Sequence, residues 1–244
     1  MPCLGVLGGM GPAATVDFMS KLVALTPASH DQEHLPVLVA SLPQIPDRSA
    51  AILGQGKDPL PALLEGLRLL NQAGVGLITI PCATSHHWYD NLSAQSKAPI
   101  LHIARATAQR IAQGGHAMLL ATRGTIASGF FRDELIAQGM TVEIPDPETE
   151  QITVDDCIRL VKEGRAPSAN QLMERLLERA DARGIRTFIL GCTELPLAAR
   201  GIARDGLTLI DSTLELARQA VEHGLRQGWN RQPIVDVPMI DHPG

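Results

Sequence analysis

Two cysteines are the residues whose surroundings most suggest chemistry. Cys82 ends the apolar run LITIPC and precedes Ala83-Thr84-Ser85; Cys192 ends TFILGC and precedes Thr193-Glu194. A lone cysteine in a Leu/Ile-rich run is commonly packing. A matched pair, each at the end of a strand-like run and followed by hydroxyl residues, is harder to explain that way. In parallel α/β sheets, ligands bind beyond the ends of the strands. Backbone N–H groups opening the next helix attract anions and are expected to lower a nearby thiol's pKa. If two such units face each other, so do the thiols. One thiolate can then take a proton from one face of a carbon while the opposing thiol returns one to the other face. That inverts a stereocentre with no metal or organic cofactor, and thiols titrate close enough to neutrality for the task. Cys3 and Cys157 lack this context and are expected to be core or surface thiols.

The elements that must hold this pair are readable from patterning. Short runs rich in Leu, Ile and Val predict strands at Cys3–Gly8, Val37–Leu42, Leu77–Cys82, Pro99–Ile103, Ala117–Ala121, Val142–Pro145, Thr187–Cys192 and Leu207–Ile210. Most do not alternate with polar residues, as expected of strands covered on both faces. Helical stripes lie between them. Leu60, Leu63, Leu64, Leu67 and Leu70 precede Gly74, and Leu172, Leu176, Leu177 and Ala180 precede Gly184. Leu214, Ala217, Val221 and Leu225 follow Ser212 as the expected N-cap, with Gly228 as the stop. The alternation predicts an α/β fold with parallel sheets. The halves also look alike. Gly8 to Cys82 spans 74 residues and Ala121 to Cys192 spans 71. PILHI and LTLID then each open a helix. The expected organisation is a first α/β unit of residues 1–100 plus 212–230, a second of residues 101–211, and an irregular tail over 231–244 that holds Pro233, Pro238 and Pro243.

Composition narrows the function classes. The chain has 244 residues, 45% of them hydrophobic, and 21 Lys+Arg against 26 Asp+Glu, a net charge of −5. This excludes a disordered or collagen-like chain. A mildly acidic protein with only 3% aromatics is poorly suited to neutralising phosphates or stacking on bases, so no nucleic-acid partner is expected. No apolar run approaches the roughly 20 residues needed to span a bilayer, so no membrane association is expected. The start MPCLGVLGGMGP has no signal-peptide character, and a cytoplasmic location with reduced thiols is expected.

Taken together, the segments LGVLGGMGPAATVDF, PQIPDRSAAILGQGKDP, IPCATSHH, LLATRGTIASGFF, VKEG and LGCTELP resemble the aspartate/glutamate racemase family, and within it the aspartate racemases, over nearly the whole chain. The resemblance implies two pseudo-symmetric α/β domains, each a mainly parallel sheet flanked by helices, with the active site between them. It implies catalysis without pyridoxal phosphate, a homodimer, and Cys82 and Cys192 as the acid/base pair. The substrate is then a small acidic amino acid: aspartate, with glutamate as a second candidate. Arg48 of PQIPDR and Lys162 of VKEG would bind its side-chain carboxylate, Arg bidentately and Lys as a point charge. Thr84, Thr125 and Thr193 would hold the α-carboxylate, and Met10 and Gly11 would line the cleft. One position departs from the family. The first motif is usually Cys-Asn-Thr, and here Ala83 replaces the Asn whose side chain would contact the substrate's amino or carboxylate group. A slowed enzyme or an altered preference is expected, with a cost of about 1–3 kcal/mol if a substrate group is left unpaired.

Competing readings are weaker. Gly9-Met10-Gly11-Pro12-Ala13-Ala14 fits GxGxxA, but the run VLVASL does not end in the acid that holds a ribose. Cys82, His86 and His87 do not have a usual zinc spacing, and no metal is expected. His86, four residues past Cys82, could tune the thiolate or sit on a helix surface. A Cys–His hydrolase would leave Cys192 idle. None of the lysines (Lys21, Lys57, Lys97, Lys162) sits in a pyridoxal-phosphate context, and no cofactor is expected. Within the superfamily, maleate isomerases, hydantoin racemases and arylmalonate decarboxylases are alternatives, some with one essential cysteine. A non-catalytic dicarboxylate-binding protein is another.

Overall fold

A computed structural model describes residues 2–111 and 114–231. The tail expected over 231–244 falls outside them except for Arg231. The first half runs β1 (Leu4–Gly8), α1 (Pro12–Leu25), β2 (Val37–Ser41), α2 (Arg48–Ile52), α3 (Leu60–Ala73), β3 (Leu77–Thr79), α4 (Tyr89–Gln95) and α5 (Ile103–Ala108). The second runs β4 (His116–Leu120), α6 (Arg123–Ser128), α7 (Phe130–Ala137), β5 (Thr141–Glu143), α8 (Glu150–Lys162), α9 (Ala166–Asp181), β6 (Thr187–Leu190), α10 (Leu195–Ala198), β7 (Thr208–Asp211) and α11 (Ser212–Arg226).

The strands form two parallel sheets of order β2-β1-β3 and β5-β4-β6-β7. Ile100 adds a single parallel bridge to Ile78, beside β3. With that bridge taken as the counterpart of β7, the two halves share one strand order. β1 corresponds to β4 and β3 to β6, so the segments carrying Cys82 and Cys192 leave equivalent strands. The strand expected over Pro99–Ile103 is reduced to this one bridge. Pro99 has no N–H to donate, and the chain turns into α5 three residues after Ile100.

The central strands are covered on both faces, as their unbroken apolar runs require: all five residues of β1 are buried. The outer strand β2 is half-exposed. α3 places Leu63, Leu67 and Leu70 inward and ends on Gly74 at φ 68°, a left-handed turn suited to glycine. α11 packs on α1 and α5. One core cluster therefore joins Leu4 and Val6 of β1, Ala117 and Leu119 of β4, and Leu216, Ala220 and Val221 of α11. The cap of α11 differs from expectation. Asp211 is the N-cap, its Oδ1 accepting from the N–H groups of Thr213 (2.9 Å) and Leu214 (3.0 Å). Ser212 instead donates its hydroxyl to the Leu190 carbonyl, because its side chain is fully buried against β6.

Candidate active site

Both cysteines lie beyond their strands, which end at Thr79 and Leu190, three and two residues earlier than the apolar pattern suggests. Cys82 is 4% exposed and leads into a 3₁₀ turn, Ala83–Trp88; Cys192 is also 4% exposed and is followed by α10. Both line one small cavity of about 20 Å³, together with Met10, Arg48, Ala83, Thr84, Lys162 and Thr193. Eight of the ten residues singled out from the sequence thus converge. Of the other two, Gly11 lines the adjoining larger pocket, and Thr125 stands one layer behind, its hydroxyl 3.0 Å from that of Thr84. Four further residues complete the lining: Asp47, Ser49, Thr122 and Glu194. All four lie inside the quoted motifs, but no residue type or spacing there singles them out.

The loop after β1 is shaped by glycine. Gly9 has φ 91°, and a Cβ there would lie 2.3 Å from the Leu42 backbone nitrogen. Thr15 closes the loop, its hydroxyl accepting from the Gly9 N–H (2.8 Å) and donating to the Gly11 carbonyl (3.0 Å). The GxGxxA pattern therefore serves to bring Met10 and Gly11 against the pocket.

Arg48 opens α2. Its Nη1 donates to the carbonyls of Ile45 (3.0 Å) and Pro46 (2.9 Å), and its Nη2 to that of Met10 (3.3 Å). Its Nε is buried without a hydrogen-bond partner among the described residues. Burial opposes its charge, but neighbouring Cys82, Asp47 and Glu194 more than offset this and hold the guanidinium charged. Lys162, in the last turn of α8, makes no salt bridge among the described residues and stands exposed at the rim. It also lines a larger adjoining pocket of about 550 Å³, shared with Met10, Arg48 and Glu194.

Three threonines tie the halves together beneath the pocket. The hydroxyls of Thr84, Thr122 and Thr125 form a triangle with 3.0 Å sides. Thr122 also caps α6 by accepting from the Thr125 N–H at 3.1 Å. The Gly124 N–H donates to Ser49 Oγ at 2.8 Å, joining α2 to α6.

Burial, and then the carboxylate of Glu194, push the Cys192 thiol well above the ordinary cysteine range. Cys192 Sγ donates to Glu194 Oε2 at 3.1 Å. The expected lowering by backbone N–H groups does not prevail here, because α10 is one turn long while the desolvation is nearly complete. His86 takes neither role expected of it. Its ring is 2% exposed and serves the backbone: Nδ1 lies 3.1 Å from the Cys82 carbonyl, and Nε2 accepts from the Ile103 N–H at 3.2 Å. Those partners fix the neutral Nδ1–H tautomer, and burial lowers its pKa to about 4. Cys157 is a core thiol, fully buried and pushed up to about 12 by desolvation. Cys3 is partly exposed, and all four cysteines are free.

Comparison with known proteins places this architecture. The profile of the family described as Asp/Glu/Hydantoin racemase matches residues 7–220. The broad specificity amino-acid racemase RacX of Bacillus subtilis (strain 168) is 27% identical over 225 residues, 89% of this chain and 96% of that protein. Among solved structures, Picrophilus torridus aspartate racemase superposes with a TM-score of 0.80 at 29% identity, covering 91% of this chain and 94% of that one. Glutamate racemase of Francisella tularensis subsp. tularensis SCHU S4, in complex with D-glutamate, shares the fold, with a TM-score of 0.66 at 17% identity over 93% of this chain and 82% of that one.

Proposed function

The chain belongs to the Asp/Glu/hydantoin racemase family, and on that premise we propose that it interconverts the enantiomers of an acidic amino acid, aspartate first and glutamate second, by two-thiol proton transfer. One observation carries the reading: Cys82 and Cys192, leaving equivalent strands of two like sheets, line one buried cavity with Arg48 and Lys162 beside them. One sulfur, as thiolate, takes the α-proton, and the electron pair left on Cα delocalises into the α-carboxylate. The other sulfur, as thiol, delivers its proton to the opposite face. The product leaves with inverted configuration and the two sulfurs with exchanged protonation. Arg48 and Lys162 select the side-chain carboxylate, while the threonine hydroxyls and nearby backbone N–H groups hold the α-carboxylate. The α-carbon is a weak acid, so fixed donors in a dry cavity must carry the developing charge.

Either enantiomer of aspartate incubated in deuterated water should yield the other, labelled at Cα. Absence of α-exchange on any acidic amino acid rejects the reading, and tight aspartate binding without exchange replaces it with a non-catalytic binding protein. Resemblance to a broad-specificity racemase supports a second reading, a wider substrate range. Neutral amino acids racemised at rates comparable to aspartate would establish it. The matching strand orders support a division into residues 1–100 with 212–230 and residues 101–211. The exposed Val16 and Val23 of α1 and Val39 of β2, which line one shallow apolar surface, support a homodimer, to be checked by light scattering. Four free thiols suit a reducing, cytoplasmic setting.

A further inference from the structure

We infer that Glu194 is the binding residue for the substrate's α-ammonium group. The assignment rests on the amino-acid reading above and extends it. An acidic amino acid brings two carboxylates and one ammonium into a small volume. Arg48, Lys162 and the threonine hydroxyls answer the carboxylates. The ammonium needs an acceptor, and Ala83 offers no side-chain one. Two acids line the cavity, Asp47 and Glu194. Asp47 is exposed, and its Oδ1 is engaged in capping α2 through the Ala50 N–H at 2.8 Å. Glu194 is 3% exposed.

The two oxygens of Glu194 differ. Oε2 accepts from the Cys192 thiol at 3.1 Å and lies 3.4 Å from the Thr193 hydroxyl. Oε1 is buried with no hydrogen-bond partner among the described residues. A buried carboxylate oxygen without a donor carries an uncompensated desolvation cost, which a cationic donor entering the cavity would offset with a charge-assisted bond. Oε1 faces the loop after β1, where a Cβ at Gly11 would come within 3.2 Å of it. Glycine there leaves the oxygen uncovered. Glu194 lines both the small cavity and the larger pocket beside it, so it stands where an incoming ligand passes from one to the other. A single carboxylate would then hold the ammonium on Oε1 and the Cys192 thiol on Oε2. This brings the α-carbon, one bond from the ammonium nitrogen, towards the sulfur that donates or accepts its proton.

The test compares aspartate with succinate, the same dicarboxylate lacking the ammonium, by calorimetry near neutral pH on wild type and Glu194→Gln. Wild type should prefer aspartate by about tenfold or more, and Glu194→Gln should weaken aspartate by about ten- to hundredfold while succinate holds or tightens. Equal affinities in wild type overturn the assignment, as does a variant that keeps the wild-type preference or loses both ligands equally while folded by circular dichroism. Glu194→Asp, retaining the charge, should keep part of the preference. Should Glu194→Gln not fold, the wild-type comparison and Glu194→Ala decide by the same ratio. Wild type that binds neither ligand and exchanges no α-proton overturns the racemase reading and this assignment together. Intact racemisation with an unchanged preference in Glu194→Gln overturns Glu194 alone.

Discussion

A thiol held up by burial and by a neighbouring carboxylate should be slow to react. Cys192 is expected to resist iodoacetamide near neutral pH and to become reactive only in alkaline solution, because the thiolate is the nucleophile. Glu194→Gln should move that onset to lower pH, and rates followed by mass spectrometry check it; an onset unchanged by the substitution denies Glu194 any hold on the thiol. If inversion runs by the proposed two-thiol transfer, Cys82→Ser and Cys192→Ser should each lower kcat by about 10²–10⁴-fold in both directions. A variant retaining near wild-type turnover would point to a one-cysteine mechanism. At this scale the sequence was informative where residue types repeat. The matched runs before Cys82 and Cys192 point to two residues that line one cavity, and the motif resemblance adds Arg48 and Lys162 to that lining. Glu194 was not legible, because its significance lies in one oxygen having a partner and the other having none, and spacing does not encode that.

The helices around the site depend on close approaches that leave no room for a side chain. A Cβ at Gly124 would lie 2.6 Å from the Ser49 Cα, which is backbone and cannot rotate away. Gly124→Ala should therefore push α2 from α6 and carry Arg48 with it, costing about 1–3 kcal/mol in urea unfolding and weakening aspartate binding more than that of a neutral amino acid. Unchanged stability and affinity would mean that α2 tolerates the shift. His86 makes the join between the 3₁₀ turn and α5 pH-sensitive. It is neutral in the fold, with a pKa of about 4 against an ordinary 6.5. As pH falls below 6.5 the unfolded chain binds a proton that the native chain refuses until about 4. Its contribution to stability is thus complete above 6.5 and lost across that window, by about 3 kcal/mol. His102, lowered to about 3 mainly by burial, acts in the same direction. Unfolding midpoints between neutrality and pH 4.5 should show the decline, and imidazole NMR should show His86 not titrating near 6.5. Helical stripes made α3, α9 and α11 legible in advance. The cap of α11 was not, since Ser212 and Asp211 are both good caps and only burial of Ser212 against β6 decides between them.

For the molecule as a whole, the parallel alternation and the repeated half were readable, because covered strands and inward helix faces leave a periodic record. How far the two walls of the site stand apart was not, since that distance is set by packing between halves remote in sequence. The cavity that both cysteines line, about 20 Å³, suits roughly one water, so an amino acid can occupy it only if a wall moves. The wall best able to move is α2. It is five residues long and buries none of them, whereas β1 and β4 are held in the core. Beyond its packing on α6, its side-chain hydrogen bonds to other segments among the described residues are few: the Ser49–Gly124 bond and the grip of Arg48 on the carbonyls of Ile45, Pro46 and Met10. A substrate carboxylate can replace those carbonyls with a charged partner, so α2 would open to admit the ligand and close on it through Arg48, excluding water as the proton moves. Amide exchange should accordingly be fast over residues 47–52 in the free protein and slowed by saturating aspartate, with β1 and β4 unaffected. Saturation that leaves residues 47–52 unprotected would rule out α2 as the moving wall and place the entrance on the Lys162 side, at the end of α8.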